Sequence, residues 1–257
     1  MTEPLLRVSG ISKRFGGLQA LSNVSLDANA GEIVGLIGPN GAGKTTLFSN
    51  LVGLHRPDSG SVRLQGKDLV GLKPHRIAAA GMVKTFQNVA LFHNLSVLDN
   101  IRVGAHSRTS SDAVSDMLKL PWVRREEKAL DARVRDIADY LDLNDVGDRV
   151  VAGLPFGTQK RVELGRALAA EPKILLLDEP AGGLNHEEVY ALGDLIRRIR
   201  DQRGISVLLV EHHMGLVMSI ADHVVALNFG KKLAEGTPAA VQSDPDVIKA
   251  YLGSKDT

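Results

Sequence analysis

The sequence predicts an α/β fold: a mixed-sheet core, an N-terminal antiparallel β subdomain and an inserted α-helical subdomain. Glycine-rich residues 38–46 lie between an apolar run and an apolar segment of helical character, the order of strand, loop and helix. Residues 174–177 and 205–210 are predominantly aliphatic runs, typical of strands buried on both faces of a sheet. Between positions 96 and 143, apolar residues return at helical spacing, which predicts the helical insertion.

The antiparallel part is predicted from the first thirty residues, which alternate in short runs broken by glycines. Residues 60–64 and 81–86 have the character of further strands. We expect one domain over 1–257, with the core and its antiparallel part at about 1–95 and 160–257 and the helical subdomain at about 96–159. After this subdomain the predicted elements are a strand (174–177), a helix (186–203), a strand (205–210), two strands around Gly230 (224–227 and 231–234) and a short helix (247–252).

The composition excludes several classes of protein. With 257 residues, 44% hydrophobic and 24% charged, the chain has ample material for a buried core. A net charge of +1 argues against a nucleic acid or acidic lipid partner. The absence of cysteine excludes disulfides and thiolate metal sites and fits the cytosol. No signal-peptide pattern begins the sequence, and no apolar run approaches the ~20 residues that cross a bilayer, so we expect a protein that is soluble when isolated.

The glycine-rich segment predicts a nucleotide phosphate site. Its glycines, without Cβ atoms, let the backbone N–H groups of the loop point at a phosphate chain, and the following helix presents its positive dipole end. We expect Lys44 to reach the outer phosphates and the hydroxyl of Thr45 to ligate magnesium. The predicted site comprises Gly38, Pro39, Asn40, Gly41, Ala42, Gly43, Lys44, Thr45 and Thr46. The sequence therefore predicts a protein that binds a nucleoside triphosphate.

Acidic residues and a histidine follow the two aliphatic runs. Asp178 and Glu179 end one run and His212 ends the next, and the carboxyl ends of parallel strands meet at one edge of a sheet. We expect Asp178 to hold magnesium through its water shell, Glu179 to orient or deprotonate the attacking water, and His212 to sense the terminal phosphate. The run Glu211, His212, His213 lacks the H-E-x-x-H spacing of a zinc site.

Five ordered motifs give the chain a resemblance to the ATP-binding cassette ATPases. They are the glycine loop, T-F-Q at 85–87, L-P-F-G-T-Q-K-R-V-E-L-G-R-A-L at 154–168, I-L-L-L-D-E-P at 174–180 and V-E-H-H at 210–213. Details such as K-R-F-G-G at 13–17 and D-P-D-V-I-K-A-Y-L-G at 244–253 are similar to the ATP-binding subunits of branched-chain amino acid uptake systems. The resemblance implies a RecA-like core of the P-loop NTPase class.

The resemblance also assigns roles to residues whose local sequence alone says little. It implies that Phe15 stacks on adenine, where the plainer interpretation is a hydrophobic residue that caps a strand. It implies that Gln87 contacts magnesium and touches the membrane partner, and that Gly157 completes the opposite subunit's site across a dimer interface. Asn185 matches an aspartate that the family carries in the loop after Asp178 and Glu179, and the amide at this position keeps the hydrogen bonding without the charge.

The chain departs from the family pattern at the signature loop. Pro155 stands where a serine, Phe156 where a glycine and Thr158 where a glutamine would be, so the serine hydroxyl that would bond the γ-phosphate is missing. The backbone around Gly157 and a helix that we expect to begin near Thr158 are left to bind it. A proline before an aromatic residue is similar to the amino acid importer subgroup. His213, where an aspartate is common, has no explanation from the sequence.

The resemblance implies ATP and Mg²⁺ as cofactors and an ATPase coupled to solute passage. The implied partners are transmembrane permease subunits, a second nucleotide-binding subunit (a copy or a related chain) and, indirectly, a solute-binding protein. The implied location is peripheral, on the cytoplasmic face of the inner membrane.

Three alternatives are open, the first within the transporter cassettes and the other two outside them. The first is a cassette of a urea or lipopolysaccharide transporter, which would carry the same nucleotide motifs. The second is a soluble cassette protein of translation or chromosome maintenance; a single glycine loop and the absence of sustained heptads between Gln87 and Gly157 argue against it. The third is a regulatory GTPase, which would require an N-K-x-D guanine motif that the sequence lacks.

Overall fold

The computed structural model describes residues 3–85, 90–105 and 121–252. They divide into two compact units. The core unit is the described part of Met1–Lys84 and Lys173–Thr257, and the helical unit is the described part of Thr85–Pro172. The helical unit extends beyond the expected 96–159, because its last helix continues to Ala169 and packs on its first.

The described elements follow the predicted order. The strands are β1 (Leu6–Phe15), β2 (Leu18–Ala28), β3 (Ile33–Ile37), β4 (Ser59–Leu64), β5 (Lys67–Asp68), β6 (Met82–Lys84), β7 (Ile174–Asp178), β8 (Ser206–Val210), β9 (His223–Asn228) and β10 (Lys231–Gly236). The helices are α1 (Lys44–Leu51), α2 (Pro74–Ala80), α3 (Val97–Ala105), α4 (Pro121–Tyr140), α5 (Phe156–Ala169), α6 (His186–Arg203), α7 (Met214–Ile220), α8 (Pro238–Gln242) and α9 (Pro245–Leu252), with short 3-10 turns at Asn144–Val146 and Val151–Gly153. The α/β fold class is confirmed.

The core unit contains two sheets. The antiparallel sheet has the order β2-β1-β4-β5, and Leu6, Val8 and Ile11 of β1 are buried, with a register shift between Val8 and Ile11. The larger sheet has the order β10-β9-β3-β8-β7-β6, with all neighbours parallel except the β9–β10 hairpin. Every residue of β3, β7 and β8 is buried, which explains why these strands are aliphatic except at Gly35, Asp178 and Ser206.

The larger sheet therefore has two functionally different edges. We call the end at which β3, β8 and β7 finish the carboxyl edge, and the end at which they begin the amino edge. These three strands are neighbours in the sheet, so the segments that follow them emerge side by side at the carboxyl edge. The glycine loop, His212 and the acidic pair are those segments.

The helical unit is organised by the packing of α3 against α5. A Cβ atom on Gly104 of α3 would lie 1.9 Å from the backbone oxygen of Arg166 in α5, so only glycine permits this approach. Residues Val134, Ile137 and Ala138 bury one face of α4. In the described parts of both units, every helix is too short or too polar to span a bilayer.

Candidate functional site

The glycine loop joins β3 to α1 and depends on two glycines for its path. Gly38 has φ 153°, and a Cβ atom there would lie 2.3 Å from the carbonyl oxygen of Leu227. Gly43, the N-cap of α1, has φ 102°, and its Cβ atom would lie 2.8 Å from the carbonyl oxygen of Ala20. The loop is therefore pressed against β2 and β9 at its base. Its tip, Asn40 and Gly41, is exposed.

Lys44 lies inside this loop. Its ammonium group donates to the carbonyl oxygens of Gly38 at 2.6 Å and Pro39 at 3.0 Å, and the residue is 5% exposed. Burial lowers the pKa of Lys44, while the negative charges of Glu179 and Asp178 oppose that shift. Lys44 is thus a buried cation that interacts electrostatically with both acidic side chains. Thr45, the next residue, is exposed on the first turn of α1, and Thr46 is half-buried.

Asp178, the last residue of β7, is almost fully buried at 2% exposure. Its Oδ2 atom accepts from the ammonium group of Lys84 at 2.7 Å, and that group also lies 5.7 Å from the centre of the Phe48 ring. Its Oδ1 atom is buried and has no hydrogen-bond partner among the described residues. A buried carboxylate oxygen without a partner is costly, and a hydrated divalent cation would supply the donor or charge that it lacks.

Glu179 and His212 meet across the ends of β7 and β8. The Nε2 atom of His212 lies 2.7 Å from Oε1 of Glu179, and the two side chains are 44% and 21% exposed. Glu179 has φ 49°, a left-handed conformation that non-glycine residues rarely adopt. Its N–H donates to the carbonyl oxygen of Val210 at 2.9 Å. These two residues meet because β7 and β8 are neighbours in the sheet, whereas the sequence predicted only that both strands end at the same edge.

Glu211 is hydrogen-bonded to the backbone next to this pair and was not predicted as a site residue. It is 3% exposed, and its Oε1 atom accepts from the N–H of Ala181 at 2.6 Å. Its Oε2 atom accepts from the N–H groups of His212 at 3.0 Å and His213 at 3.2 Å. The available sequence signal was a carboxylate placed directly after a buried aliphatic strand.

Two residues at the carboxyl edge cap helices. The Nδ1 atom of His213 accepts from the N–H of Leu216 at 3.3 Å, so His213 is the N-cap of α7. Asn185 and Glu188 form a reciprocal capping box at the start of α6, with bonds of 3.0 and 2.9 Å. These caps account for the histidine that the sequence left unexplained and give Asn185 a structural role.

Phe15 lies at the end of β1 and is 42% exposed. Its ring meets the ring of His55 edge to face at 5.3 Å, and the ammonium group of Lys13 lies 5.5 Å from its centre. The exposed face leaves room for a stacked base. The adenine role of Phe15 stays a prediction.

Two predicted site residues fall between Thr85 and Pro172 in the sequence. Gln87 lies outside the described residues. Gly157 lies in the first turn of α5, which begins at Phe156 with Pro155 as its N-cap. The expected start near Thr158 was therefore two residues late, because the fixed φ of proline suits the entry to a helix.

The last helix of the core unit reaches the glycine loop. Tyr251 of α9 accepts a hydrogen bond from the backbone of Gly38. Burial raises the pKa of Tyr251, and this hydrogen bond opposes the shift. The C-terminal segment thus contacts the first residue of the loop.

Comparison with known proteins decides the family. Residues 21–182 match the family described as ABC transporter, which covers more than half of the chain. The chain belongs to the ABC transporter family. Residues 231–257 also match a family described as branched-chain amino acid ATP-binding cassette transporter.

Relatives of this cassette match it over nearly the whole length of both sequences. The BraF branched-chain amino acid transport ATP-binding protein of Pseudomonas aeruginosa is 43% identical over 98% of this chain and 99% of its own. The LivG protein of Escherichia coli, similarly named, is 44% identical over 98% and 99%. Among solved structures, the ADP conformation of MJ1267, an ATP-binding cassette of an ABC transporter, is 31% identical with a TM-score of 0.85 over 98% of this chain and all of that one. This cassette is therefore an ATP-binding ATPase subunit of a transporter.

Proposed function

We propose that this cassette drives the import of branched-chain amino acids by hydrolysing ATP. The similarity to BraF and LivG over nearly the full length of the chain supports the substrate class. The match of residues 231–257 to a branched-chain amino acid cassette family supports it independently, because that segment lies outside the general cassette match.

The proposed assembly is a transporter on the cytoplasmic face of the inner membrane. Two nucleotide-binding subunits, either copies or a pair with a related cassette, dock on transmembrane permease subunits that receive the amino acid from a solute-binding protein. In this arrangement Gln87 contacts the permease, and Gly157 completes the nucleotide site of the opposite subunit.

The proposed chemistry depends on one observation, the 2.7 Å contact between Glu179 and His212 beside the glycine loop. Glu179 accepts the proton of the attacking water, and His212 holds Glu179 in place and contacts the terminal phosphate. Lys44 neutralises phosphate charge, and the loop N–H groups position the phosphate chain. Phe15 stacks on the adenine base.

Magnesium fits the residues at the carboxyl edge. The unpartnered Oδ1 atom of Asp178 and the exposed hydroxyl of Thr45 are oxygen donors of the type that Mg²⁺ takes, and we assign Gln87 to the same ion. The bound ion would offset the charge of the β- and γ-phosphates.

The test is transport by the cassette assembled with its permease subunits in proteoliposomes. Leucine uptake should depend on ATP in the native complex. Glu179→Gln should reduce hydrolysis and uptake by about a hundredfold or more while ATP binding persists, because the amide cannot accept the proton. Glu187→Gln, an exposed glutamate in the first turn of α6, is the matched control and should leave both rates within about twofold.

The outcomes separate the parts of this proposal. ATP-dependent uptake of urea without uptake of leucine would exclude the substrate class. Undiminished turnover by Glu179→Gln would exclude the general-base role of that residue.

A further inference from the structure

The side chain of Glu211 connects the two chain segments that carry the proposed catalytic pair. Glu211 is the first residue after β8, and its Oε1 atom reaches Ala181, two residues beyond Glu179. Its Oε2 atom holds the N–H groups of His212 and His213. One buried carboxylate is therefore hydrogen-bonded to the backbone on both sides of the Glu179–His212 contact.

The three hydrogen bonds that Glu211 accepts are stronger than hydrogen bonds between neutral groups. The side chain is 3% exposed, and all three donors are backbone N–H groups at 2.6 to 3.2 Å. Hydrogen bonds to an ionised carboxylate are roughly twice as strong as neutral ones, and a buried carboxylate requires such partners. A neutral side chain of the same shape would retain only part of this arrangement.

The catalytic pair needs such support. Glu179 is held at φ 49°, a conformation that persists only where the surrounding structure imposes it. His212 is 44% exposed in its side chain, so packing alone does not fix its position. A displacement of about 1 Å at a reacting group lowers the rate of a reaction by about a hundredfold.

We propose that Glu211 is a positioning residue for ATP hydrolysis. It fixes the segments after β7 and β8 so that Glu179 and His212 meet, and it acts through these two residues without contacting nucleotide. The inference rests on the catalytic roles proposed for Glu179 and His212.

The experiment measures kcat and ATP affinity of Glu211→Gln and Glu211→Ala in the assembled transporter. In the Gln variant, an amide NH₂ group faces a backbone N–H that had an accepting oxygen. We expect kcat to fall by about tenfold to a hundredfold in both variants, while the Kd for ATP stays within about twofold. This split distinguishes positioning from a general loss of structure.

The matched control is Asp222→Asn. Asp222 is also a carboxylate that accepts from a strand N–H, that of Ile33 at 2.8 Å, but it lies at the amino edge of the same sheet. This variant should lose stability and keep kcat within about twofold.

The inference is overturned if Glu211→Gln keeps kcat within twofold, or if its ATP affinity falls as much as its kcat. It is also overturned if both Glu211 variants fail to fold, because Glu211 would then be a structural residue. Glu179→Gln is measured in parallel. If Glu179→Gln loses turnover while the Glu211 variants keep normal turnover, only the positioning role of Glu211 is rejected. If Glu179→Gln keeps normal turnover, the proposed catalytic role of Glu179 is rejected.

Discussion

The two edges of the larger sheet are built from the same strands but differ in how their polar groups are satisfied. At the amino edge, Asp222 accepts from the N–H of Ile33 and from Arg200, both at 2.8 Å, and the hydroxyl of Ser206 bridges Gly31 and Asn29. At the carboxyl edge, Asp178 keeps a buried oxygen without a partner among the described residues, and Glu179 adopts a left-handed backbone.

This difference shows where the protein gives up stability for chemistry. The hydrogen bonds at the amino edge join strand ends and loops to one another and serve the fold. The polar groups at the carboxyl edge include the buried ammonium group of Lys44, whose pKa is lowered by burial. Such a group is typical of a site that binds an anion and is not needed for the fold. Substitutions at the two edges should therefore affect different measured quantities.

The largest effect is expected at the carboxyl edge. Lys44→Ala should weaken ATP binding by about tenfold to a hundredfold, because it removes charged hydrogen bonds to phosphate. Its free energy of unfolding should change little, because removal of a buried charge offsets the loss of the two hydrogen bonds to the carbonyl oxygens of Gly38 and Pro39. Equilibrium nucleotide binding and urea denaturation measure the two quantities.

The control for Lys44 is Lys67→Ala, an exposed lysine on the antiparallel sheet, which should leave both quantities unchanged. Unchanged ATP affinity in Lys44→Ala would contradict the assignment of the glycine loop.

An intermediate effect is expected at the amino edge. Asp222→Ala should lower the free energy of unfolding by about 1–3 kcal/mol, because the N–H of Ile33 and the guanidinium of Arg200 both lose their acceptor. ATP affinity should stay at the native value. If Asp222→Ala weakened ATP binding in denaturant-free buffer as much as Lys44→Ala is expected to, the two edges of the sheet would not be independent.

The smallest effect is expected at the β9–β10 turn. Phe229 is 83% exposed and has φ 45°, a conformation that suits asparagine and disfavours an aromatic residue. Phe229→Asn should raise the free energy of unfolding by about 1 kcal/mol, measured by thermal or urea denaturation. Phe229→Tyr, which keeps the strain, serves as the control, and an equal gain in both variants would exclude backbone strain as the cause.

Much of the fold was predictable because its signals are local. The helix α6 was expected at 186–203 and is found at His186–Arg203, since apolar spacing and an Asn185 cap define it within one segment. The start of α5 was expected near Thr158 and is found at Phe156, because Pro155 serves as the N-cap and the helix begins directly after it. The outer limits of the helical unit depend on packing between α3 and α5, which spacing alone does not show.

The candidate site likewise has a part that could be predicted from the sequence and a part that could not. The sequence by itself determined the glycine loop, the acid pair after β7 and the histidine after β8, because each is a short motif next to a recognisable strand. Only the tertiary structure decided that Glu179 contacts His212, that Lys84 pairs with Asp178 and that Glu211 holds both strand ends. The reason is the order of strands in the sheet: β8 lies between β3 and β7, and that neighbourhood joins residues about 30 positions apart in the chain.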